Sequence, residues 1–290
     1  MIIRDRQIGG YNDPTYIVAE LGINHQGDIG IAKQLIEAAA RAGANAVKIQ
    51  KRVPRVSTPK SEWDKLRETP WGSLTYIQYR ERIELSIEQV YDLKWYARRL
   101  GLDFISSVWD RESLRDVIEL LDAIKIPSAM LTNRLLITDA ALQPQPTILS
   151  TGMSTTEQIW DAVFEYRSWS ENQLAILHCT STYPCSAEEL NLLLVRTLQE
   201  QYPDLVIGYS NHSPGIIAAV TAVALGAKIV EAHITLDRTM WGTDHAASIE
   251  PAGFARMISY IRTTELSLGN GIKMIYESEL PNLRKLRGVT

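Results

Sequence analysis

Val230-Glu231-Ala232-His233 closes an apolar, strand-like run with polar side chains, and Tyr209-Ser210-Asn211-His212 closes another in the same way. Six earlier apolar runs end similarly, at Glu20, Lys48 with Gln50, Ser106 with Ser107, Lys125 with Ser128, Ser150 with Thr151, and His178. Short strands that each deliver polar groups at their C-terminal end are typical of a (β/α)8 barrel. The sequence therefore predicts an α/β fold, a single-domain TIM barrel.

The spacing of apolar residues predicts the positions of the strands and helices. The predicted strands are residues 16–21, 46–50, 102–107, 123–126, 147–149, 174–177, 206–208 and 228–230. The predicted helices are residues 29–42, 87–100, 112–121, 135–141, 156–166, 187–201, 214–225 and 251–268. Ser86 precedes one helix as a cap, and Pro214 and Pro251 stand where two others are expected to begin.

Three segments lie outside the regular alternation. Residues 1–15 are expected to form an N-terminal strand or hairpin below the barrel of residues 16–270, and residues 271–290 a C-terminal tail. Residues 52–84 form a long polar insertion, and an insertion of this length is usually functional. We expect it to act as a lid or as a loop that covers the substrate.

The closest rival fold is an open, doubly wound sheet. Such a sheet normally carries a glycine-rich dinucleotide fingerprint after its first strand. Residues 21–27, Leu-Gly-Ile-Asn-His-Gln-Gly, lack that glycine spacing. A closed barrel is therefore the better interpretation.

Composition narrows the class of protein. The formal net charge of −4 offers no basic stripe for nucleic acid. Only Cys179 and Cys185 are present, which favours reduced cysteines over a disulfide scaffold or a zinc site. The N-terminus has no signal-peptide core, and no apolar run is long enough to span a bilayer. These features predict a cytoplasmic protein that does not bind membranes.

His212 and His233 follow neighbouring predicted strands, so both are expected to face the barrel mouth. Neutral imidazoles bind divalent first-row metals, and Glu231 and Asp244 lie nearby in the sequence. A single histidine in a loop is more often structural. Two on adjacent strands favour a metal site.

Lys48 and Lys125 directly follow apolar strand residues, which favours ammonium groups that face the barrel mouth over solvated ones. There they could hold a phosphate or a carboxylate, or form a Schiff base. A set of hydroxyls recurs at the strand ends and could complete an anion cradle: Ser107, Ser128, Ser150, Thr151, Ser181 and Ser210. Taken singly, each of these residues is more often a turn residue or a helix cap.

The remaining candidate site residues allow both a functional and a structural interpretation. Glu20 and Glu231 suit general acid–base work or the orientation of a metal-bound water, and they equally suit ion pairs with Lys48 or Lys228. Tyr183 could bind a ligand or simply cap the barrel. Trp71 and Trp241 are the tryptophans best placed for a substrate wall.

With these groups in place, the chain resembles the sialic acid synthase (NeuB-like) family of phosphoenolpyruvate-condensing enzymes, from about Tyr16 to the C-terminus. The motifs that carry the resemblance are residues 19–25 (AELGINH), 47–50 (VKIQ), 125–128 (KIPS), 150–153 (STGM), 178–184 (HCTSTYP), 208–212 (GYSNH), 231–235 (EAHIT) and 242–251 (GTDHAASIEP).

The resemblance implies condensation of phosphoenolpyruvate with the aldehyde of an N-acyl amino sugar, giving a nonulosonic 2-keto acid and phosphate. It implies that His212 and His233 hold Mn²⁺ or Mg²⁺. It implies that phosphoenolpyruvate is held by Lys48, Ser107, Lys125, Ser128, Ser150, Ser181 and Ser210. It implies that the acceptor sugar, the metal and the attacking water are oriented by Glu20, Gln50, Tyr183, Glu231 and Asp244.

The chain departs from the family pattern in places. Residues 127–130 (PSAM) replace a Gly-Ser-Gly-Glu run, residues 107–109 (SVW) replace Thr-Pro-Phe, and Asn211 replaces an aspartate. Family members continue into a small antifreeze-like domain that completes the acceptor pocket across a dimer, whereas residues 271–290 resemble only the linker to it. We therefore expect a different acceptor, completion of the pocket by a second copy or another chain, or loss of activity.

Two alternative functions stay open. One is a phosphoenolpyruvate aldol synthase that uses a different or phosphorylated aldose, whose phosphate could be held by Arg52, Arg55 or Lys60 in the insertion. The other is a non-catalytic barrel that binds a partner in sugar biosynthesis.

Overall fold

The computed structural model describes residues 1–288 and contains a closed, parallel eight-stranded barrel. Its strands run in chain order around the barrel: β1 Tyr16–Gly22, β2 Ala46–Lys51, β3 Asp103–Val108, β4 Ala123–Ile126, β5 Thr147–Ser150, β6 Leu174–His178, β7 Val206–Asn211 and β8 Ile229–His233. Strand β8 pairs with β1 and closes the barrel. The predicted TIM barrel is confirmed.

Eight helices cover the outside of the barrel: Ile29–Ala42, Ile87–Arg99, Arg111–Val117, Arg134–Ala141, Thr156–Trp169, Leu194–Gln201, Ile217–Ala224 and Pro251–Leu268. Their starts follow from local capping. The hydroxyl of Ser86 accepts from the Gln89 amide, as expected, and Pro251 occupies the first turn of its helix. The first helix ends at Gly43, whose φ of 89° is a left-handed cap that glycine adopts without strain.

Two predicted helix starts are wrong, and both have a backbone cause. The helix expected from residue 187 consists of a 3₁₀ turn at Ala187–Glu189, and the α-helix begins only at Leu194. Between them Asn191 has a φ of 42°, which interrupts helical hydrogen bonding. Pro214 likewise lies outside its helix, because Gly215 has a φ of 83° and the helix starts at Ile217.

Alternating side chains divide each strand between two apolar clusters. Ile17, Ala19 and Leu21 of β1 pack in the cluster between strands and helices, whereas Tyr16 and Val18 belong to the cluster inside the barrel. The inner cluster is closed by Ile3 and Ile8, which lie in and directly after a hairpin of strands Ile2–Ile3 and Arg6–Gln7. The expected N-terminal hairpin is therefore present and plugs the end of the barrel where the strands begin.

The same alternation places polar residues above the inner apolar cluster. Glu20 stands two residues beyond Val18, Lys48 two beyond Ala46, and Glu231 two beyond Ile229. Pairing then sets Glu20 opposite Lys48 on one side and opposite His233 on the other. Several strands run one to three residues further than predicted, because polar residues at their C-terminal ends, such as Ser150, His178 and Glu231, remain within the ladder.

The insertion of residues 52–84 is folded rather than an open loop. It contains helix Pro54–Ser57, a 3₁₀ turn Lys60–Glu62, a hairpin of Leu66–Thr69 with Gly72–Thr75, and helix Tyr76–Ile83. Tyr79 is fully buried and contacts Trp241, which follows β8, with ring centroids 5.4 Å apart. This contact fastens the insertion across the barrel mouth.

The last described segment is a 3₁₀ turn at Glu277–Glu279 followed by helix Leu280–Arg287, and its side chains are largely exposed. Within residues 1–288, every helix is too short or too polar to cross a lipid bilayer.

Candidate active site

The barrel mouth holds a cavity of about 270 Å³, here called the inner pocket. It gathers most of the site residues predicted from the sequence: Glu20, Lys48, Gln50, Ser107, Lys125, Ser128, Ser150, Ser181, Tyr183, Ser210, His212, Glu231 and His233. Thr151, predicted for the anion cradle, does not line it. Asp244 lines a neighbouring cavity of about 320 Å³, the outer pocket. Gln50, Trp109 and Tyr183 line both cavities, so the two adjoin.

A buried charge cluster forms the floor of the inner pocket. The ammonium Nζ of Lys48 lies 2.7 Å from Glu20 Oε2 and 3.5 Å from Glu231 Oε1, and it donates to Ser107 Oγ at 2.6 Å. All three charged side chains are nearly inaccessible to solvent. Gln50 Nε2 donates to Glu20 Oε1 at 3.1 Å and extends the network toward the outer pocket.

The charges of this cluster stabilise one another. Burial alone would lower the pKa of Lys48, but the carboxylates of Glu20 and Glu231 raise it above its ordinary value. Burial alone would raise the pKa of Glu231, but Lys48 and Lys125 lower it to about 2. Both groups are therefore charged at neutral pH.

Lys125 is the second cation of the inner pocket. Its Nζ donates to Ser150 Oγ and, at 3.2 Å, to the carbonyl oxygen of Ile126. Burial lowers its pKa, an effect that the nearby charge of Glu231 opposes. Unlike Lys48, it forms no ion pair with a carboxylate among the described residues.

Beside Lys125 the wall is made of small side chains and backbone. Ser128 Oγ lies 3.2 Å from Cys179 Sγ and accepts from the Gly152 amide at 3.1 Å. A Cβ at Gly152 would stand 2.1 Å from Ser181 Oγ and 2.9 Å from Ser128 Oγ. The absence of a side chain at this position keeps the hydroxyls together and the wall open.

His212 is held in a single tautomer. Its Nδ1 lies 2.7 Å from the carbonyl oxygen of Thr180, which only accepts, so Nδ1 carries the proton. Its Nε2 lone pair faces Tyr183 OH at 2.9 Å and Ser210 Oγ at 3.3 Å. Burial lowers the pKa of His212 to about 4, so the ring is neutral at physiological pH.

His233 lies beside His212, with ring centroids 5.8 Å apart. Its Nδ1 is buried, makes no hydrogen bond within residues 1–288, and lies 3.8 Å from Asp244 Oδ2. A buried ring nitrogen without a hydrogen-bond partner in the protein is suited to a bound ligand that supplies the missing partner.

The donor set fits a divalent metal with two protein nitrogens. His212 is neutral and oriented by a backbone carbonyl, the arrangement common in metal-binding histidines, and His233 offers an unpartnered nitrogen. Residues 1–288 contain no group of three or more His, Cys, Asp or Glu side chains placed to bind one ion. The other ligands would therefore be substrate oxygens or water.

Three features of the site differ from the sequence analysis. Trp109, which the sequence did not single out, lines both cavities, whereas Trp71 and Trp241 line neither. Trp71 and Trp241 instead pack edge-to-face, 6.4 Å apart, where the insertion meets the barrel, so they are not a substrate wall. Arg80 of the insertion lines the outer pocket, and the sequence analysis did not identify it. The insertion has no periodic pattern of apolar residues that would show which of its side chains point toward the pocket.

The chain was compared with known proteins. The sequence model of the NeuB family matches residues 35–273. The N-acetylneuraminate-9-phosphate synthase of Mus musculus is 35% identical over 292 residues, covering 97% of this chain and 78% of the relative. The N,N'-diacetyllegionaminic acid synthase of Legionella pneumophila is 36% identical over 281 residues, covering 94% of this chain and 78% of the relative.

A solved structure is similar along nearly its whole length. It is the crystal structure of the N-acetylneuraminic acid (sialic acid) synthetase of Leptospira borgpetersenii in complex with citrate. The TM-score is 0.88 at 30% sequence identity, with 99% of this chain and 97% of that chain covered.

Proposed function

The chain belongs to the NeuB family, and on that premise we propose that it condenses phosphoenolpyruvate with the aldehyde of an N-acyl amino sugar of the N-acetylmannosamine type. The products would be a nonulosonic 2-keto acid and inorganic phosphate. The observation that carries the proposal is the convergence of two buried lysines, two buried carboxylates and two histidines in one pocket.

Phosphoenolpyruvate would enter the inner pocket with its anionic groups toward Lys125. Of the two ammonium groups in the inner pocket, that of Lys125 forms no ion pair with a carboxylate of the described residues, so a bound anion would stabilise its buried charge. Ser128, Ser150 and Ser181 supply hydroxyl donors around it, and Ser107, Ser210 and Lys48 complete the cradle.

The carboxylates would act as acceptors rather than as acids. Because Lys48 and Lys125 lower the pKa of Glu231 to about 2, this side chain is ionised and orients donors, including the water that adds to the reacting carbon. Glu20 holds Lys48 in position. Gln50 and Tyr183 lie where the two pockets meet and would orient the acceptor sugar, with Asp244 on the outer side.

The chemistry would proceed by carbon–carbon bond formation before loss of phosphate. The enol carbon attacks the aldehyde, water adds to the resulting cationic carbon, and the C–O bond to phosphate breaks. His212 and His233 would hold Mn²⁺ or Mg²⁺, and the metal when bound would polarise the aldehyde oxygen and stabilise the negative charge that develops there. Nitrogen donors favour Mn²⁺, because Mg²⁺ prefers oxygen ligands.

The test is phosphate release from phosphoenolpyruvate in the presence of Mn²⁺ and a panel of N-acyl hexosamines and other aldoses. We expect release that depends on the acceptor and that K125M abolishes. K33M is the matched control, because Lys33 lies on an outer helix and pairs with Asp92. If metal and phosphoenolpyruvate bind by calorimetry but no acceptor supports release, the proposal fails and a non-catalytic barrel is the better account.

A further inference from the structure

The outer pocket lies between the barrel mouth and the insertion, and it opens beside the inner pocket through Gln50, Trp109 and Tyr183. Residues of the insertion form much of its wall, among them Arg52, Thr58, Tyr76 and Arg80. A substrate that reacts in the inner pocket and is longer than the reacting carbons would extend its far end into this cavity.

Two buried arginines dominate the outer pocket. Arg52 is 7% exposed and Arg80 is 6% exposed. The Arg52 guanidinium stacks 3.7 Å from the ring of Trp109, and its Nη2 donates to Gln50 Oε1 at 2.6 Å. The Nε of Arg80 is buried and makes no hydrogen bond within residues 1–288.

The nearby carboxylates are committed to other cations. Glu84 pairs with Lys51, Glu81 with Arg55, and Glu62 with Lys65. Asp244, which also lines the outer pocket, lies 3.8 Å from His233.

Neither Arg52 nor Arg80 forms an ion pair with a carboxylate of the described residues. Burial, and next the like charge of Arg80, lower the pKa of Arg52 to about 9, although Glu84 and Asp244 oppose the shift. Two buried like charges without an ion-paired carboxylate are costly for a protein to keep, and an anionic ligand lowers that cost. Guanidinium groups match the geometry of phosphate oxygens, and two of them match a dianion.

Resting on the proposed function, we propose that Arg52 and Arg80 bind a phosphate monoester at the end of the acceptor remote from its aldehyde. The substrate class would then be an N-acyl hexosamine 6-phosphate rather than the neutral sugar. Of the three basic residues that the sequence suggested for this role, Arg52 alone lines the outer pocket. Arg55 is largely exposed and pairs with Glu81, and Lys60 is exposed.

The first experiment compares kcat/KM for N-acetylmannosamine and its 6-phosphate. For the wild-type protein, we expect kcat/KM to be at least about tenfold higher for the phosphate ester, because charge-assisted hydrogen bonds from the two arginines would stabilise the bound phosphate. R80Q and R52Q lower this preference toward unity, and R80K retains part of it because the charge persists. K60Q, which removes an exposed cation of the same insertion, keeps the wild-type preference.

A second measurement requires no turnover and no variant. Glucitol 6-phosphate has no aldehyde and cannot react, so calorimetry in the presence of phosphoenolpyruvate and Mn²⁺ reports binding alone. We expect glucitol 6-phosphate to bind and glucitol not to bind.

The outcomes separate the two proposals. A wild-type protein that condenses the neutral sugar as well as the ester, with a ratio that R80Q leaves unchanged, overturns the anion site and leaves the condensation intact. Binding of glucitol 6-phosphate without condensation of any acceptor supports the anion site and overturns the proposed reaction.

Discussion

The ring of His212 donates its Nδ1–H to the carbonyl oxygen of Thr180, 2.7 Å away, which turns the Nε2 lone pair toward the inner pocket. The hydroxyl of Tyr183 occupies that lone pair at 2.9 Å. The nitrogen proposed to bind a metal is thus oriented by the backbone and protected by a hydroxyl that a metal must displace.

This relationship predicts the effect of removing the hydroxyl. Y183F should bind Mn²⁺ about fivefold more tightly than the wild type, because the metal no longer displaces a hydrogen bond worth about 1 kcal/mol. Titration followed by electron paramagnetic resonance of free Mn²⁺ measures the change. H212Q should abolish tight binding, and H178Q, whose ring lies outside the inner pocket, should not. Weaker Mn²⁺ binding by Y183F would show that Tyr183 supports the metal rather than competes with it.

The charge cluster predicts a coupled loss of stability. K48M leaves Glu20 and Glu231 buried without their partner, so the free energy of unfolding should fall by about 3–5 kcal/mol. Adding E20Q removes one uncompensated charge and should recover about 1 kcal/mol or more. Urea unfolding measures both. K33M, at an exposed pair, should change stability by less than about 1 kcal/mol. If E20Q and K48M are simply additive, the two side chains are not coupled.

Gly152 predicts a steric block of the proposed phosphoenolpyruvate site. In G152A the new methyl group would meet Ser181 Oγ and Ser128 Oγ and displace the hydroxyls beside Lys125. Displacements of this size in a catalytic site can lower kcat/KM about a hundredfold. Steady-state kinetics should show the loss in the dependence on phosphoenolpyruvate, while Mn²⁺ binding at His212 stays at the wild-type level. Unchanged kinetics would place phosphoenolpyruvate elsewhere.

A buried histidine outside the inner pocket predicts acid sensitivity. Burial lowers the pKa of His25 to about 4, and its Nδ1 accepts from the Gly27 amide at 3.0 Å, so the folded protein keeps this ring neutral. Between pH 6.5 and 4 the unfolded chain therefore binds the extra proton, and the free energy of unfolding falls as the pH falls. Between pH 7 and 5 the wild type should lose about 2 kcal/mol more than H25Q. Equal losses would mean that His25 is protonated in the fold.

Much of the site could be predicted from the sequence, because alternate side chains of each barrel strand point into the barrel and so meet the alternate side chains of the other strands. Glu20, Lys48 and Glu231 each stand two residues beyond an inward apolar residue, so their convergence follows from the pattern. The outer pocket could not be derived in that way. The facing of Arg80 depends on how the insertion folds against Trp241, a tertiary contact without a sequence period.

The division into residues 1–15, 16–270 and 271–290, the cytoplasmic location, and completion of the acceptor pocket by a second copy or a separate chain all stay predictions. So do the catalytic roles of the individual residues, which the variants above address.

The central claim is tested most directly by phosphoenolpyruvate labelled with ¹⁸O in the oxygen that bridges carbon and phosphorus. The protein, Mn²⁺ and an N-acyl hexosamine or its 6-phosphate are incubated with it, and the products are examined by ³¹P NMR and mass spectrometry. The account predicts that the label appears in the released phosphate, because the C–O bond breaks after carbon–carbon bond formation. Label retained in the keto acid, or phosphate release without an acceptor, would contradict it.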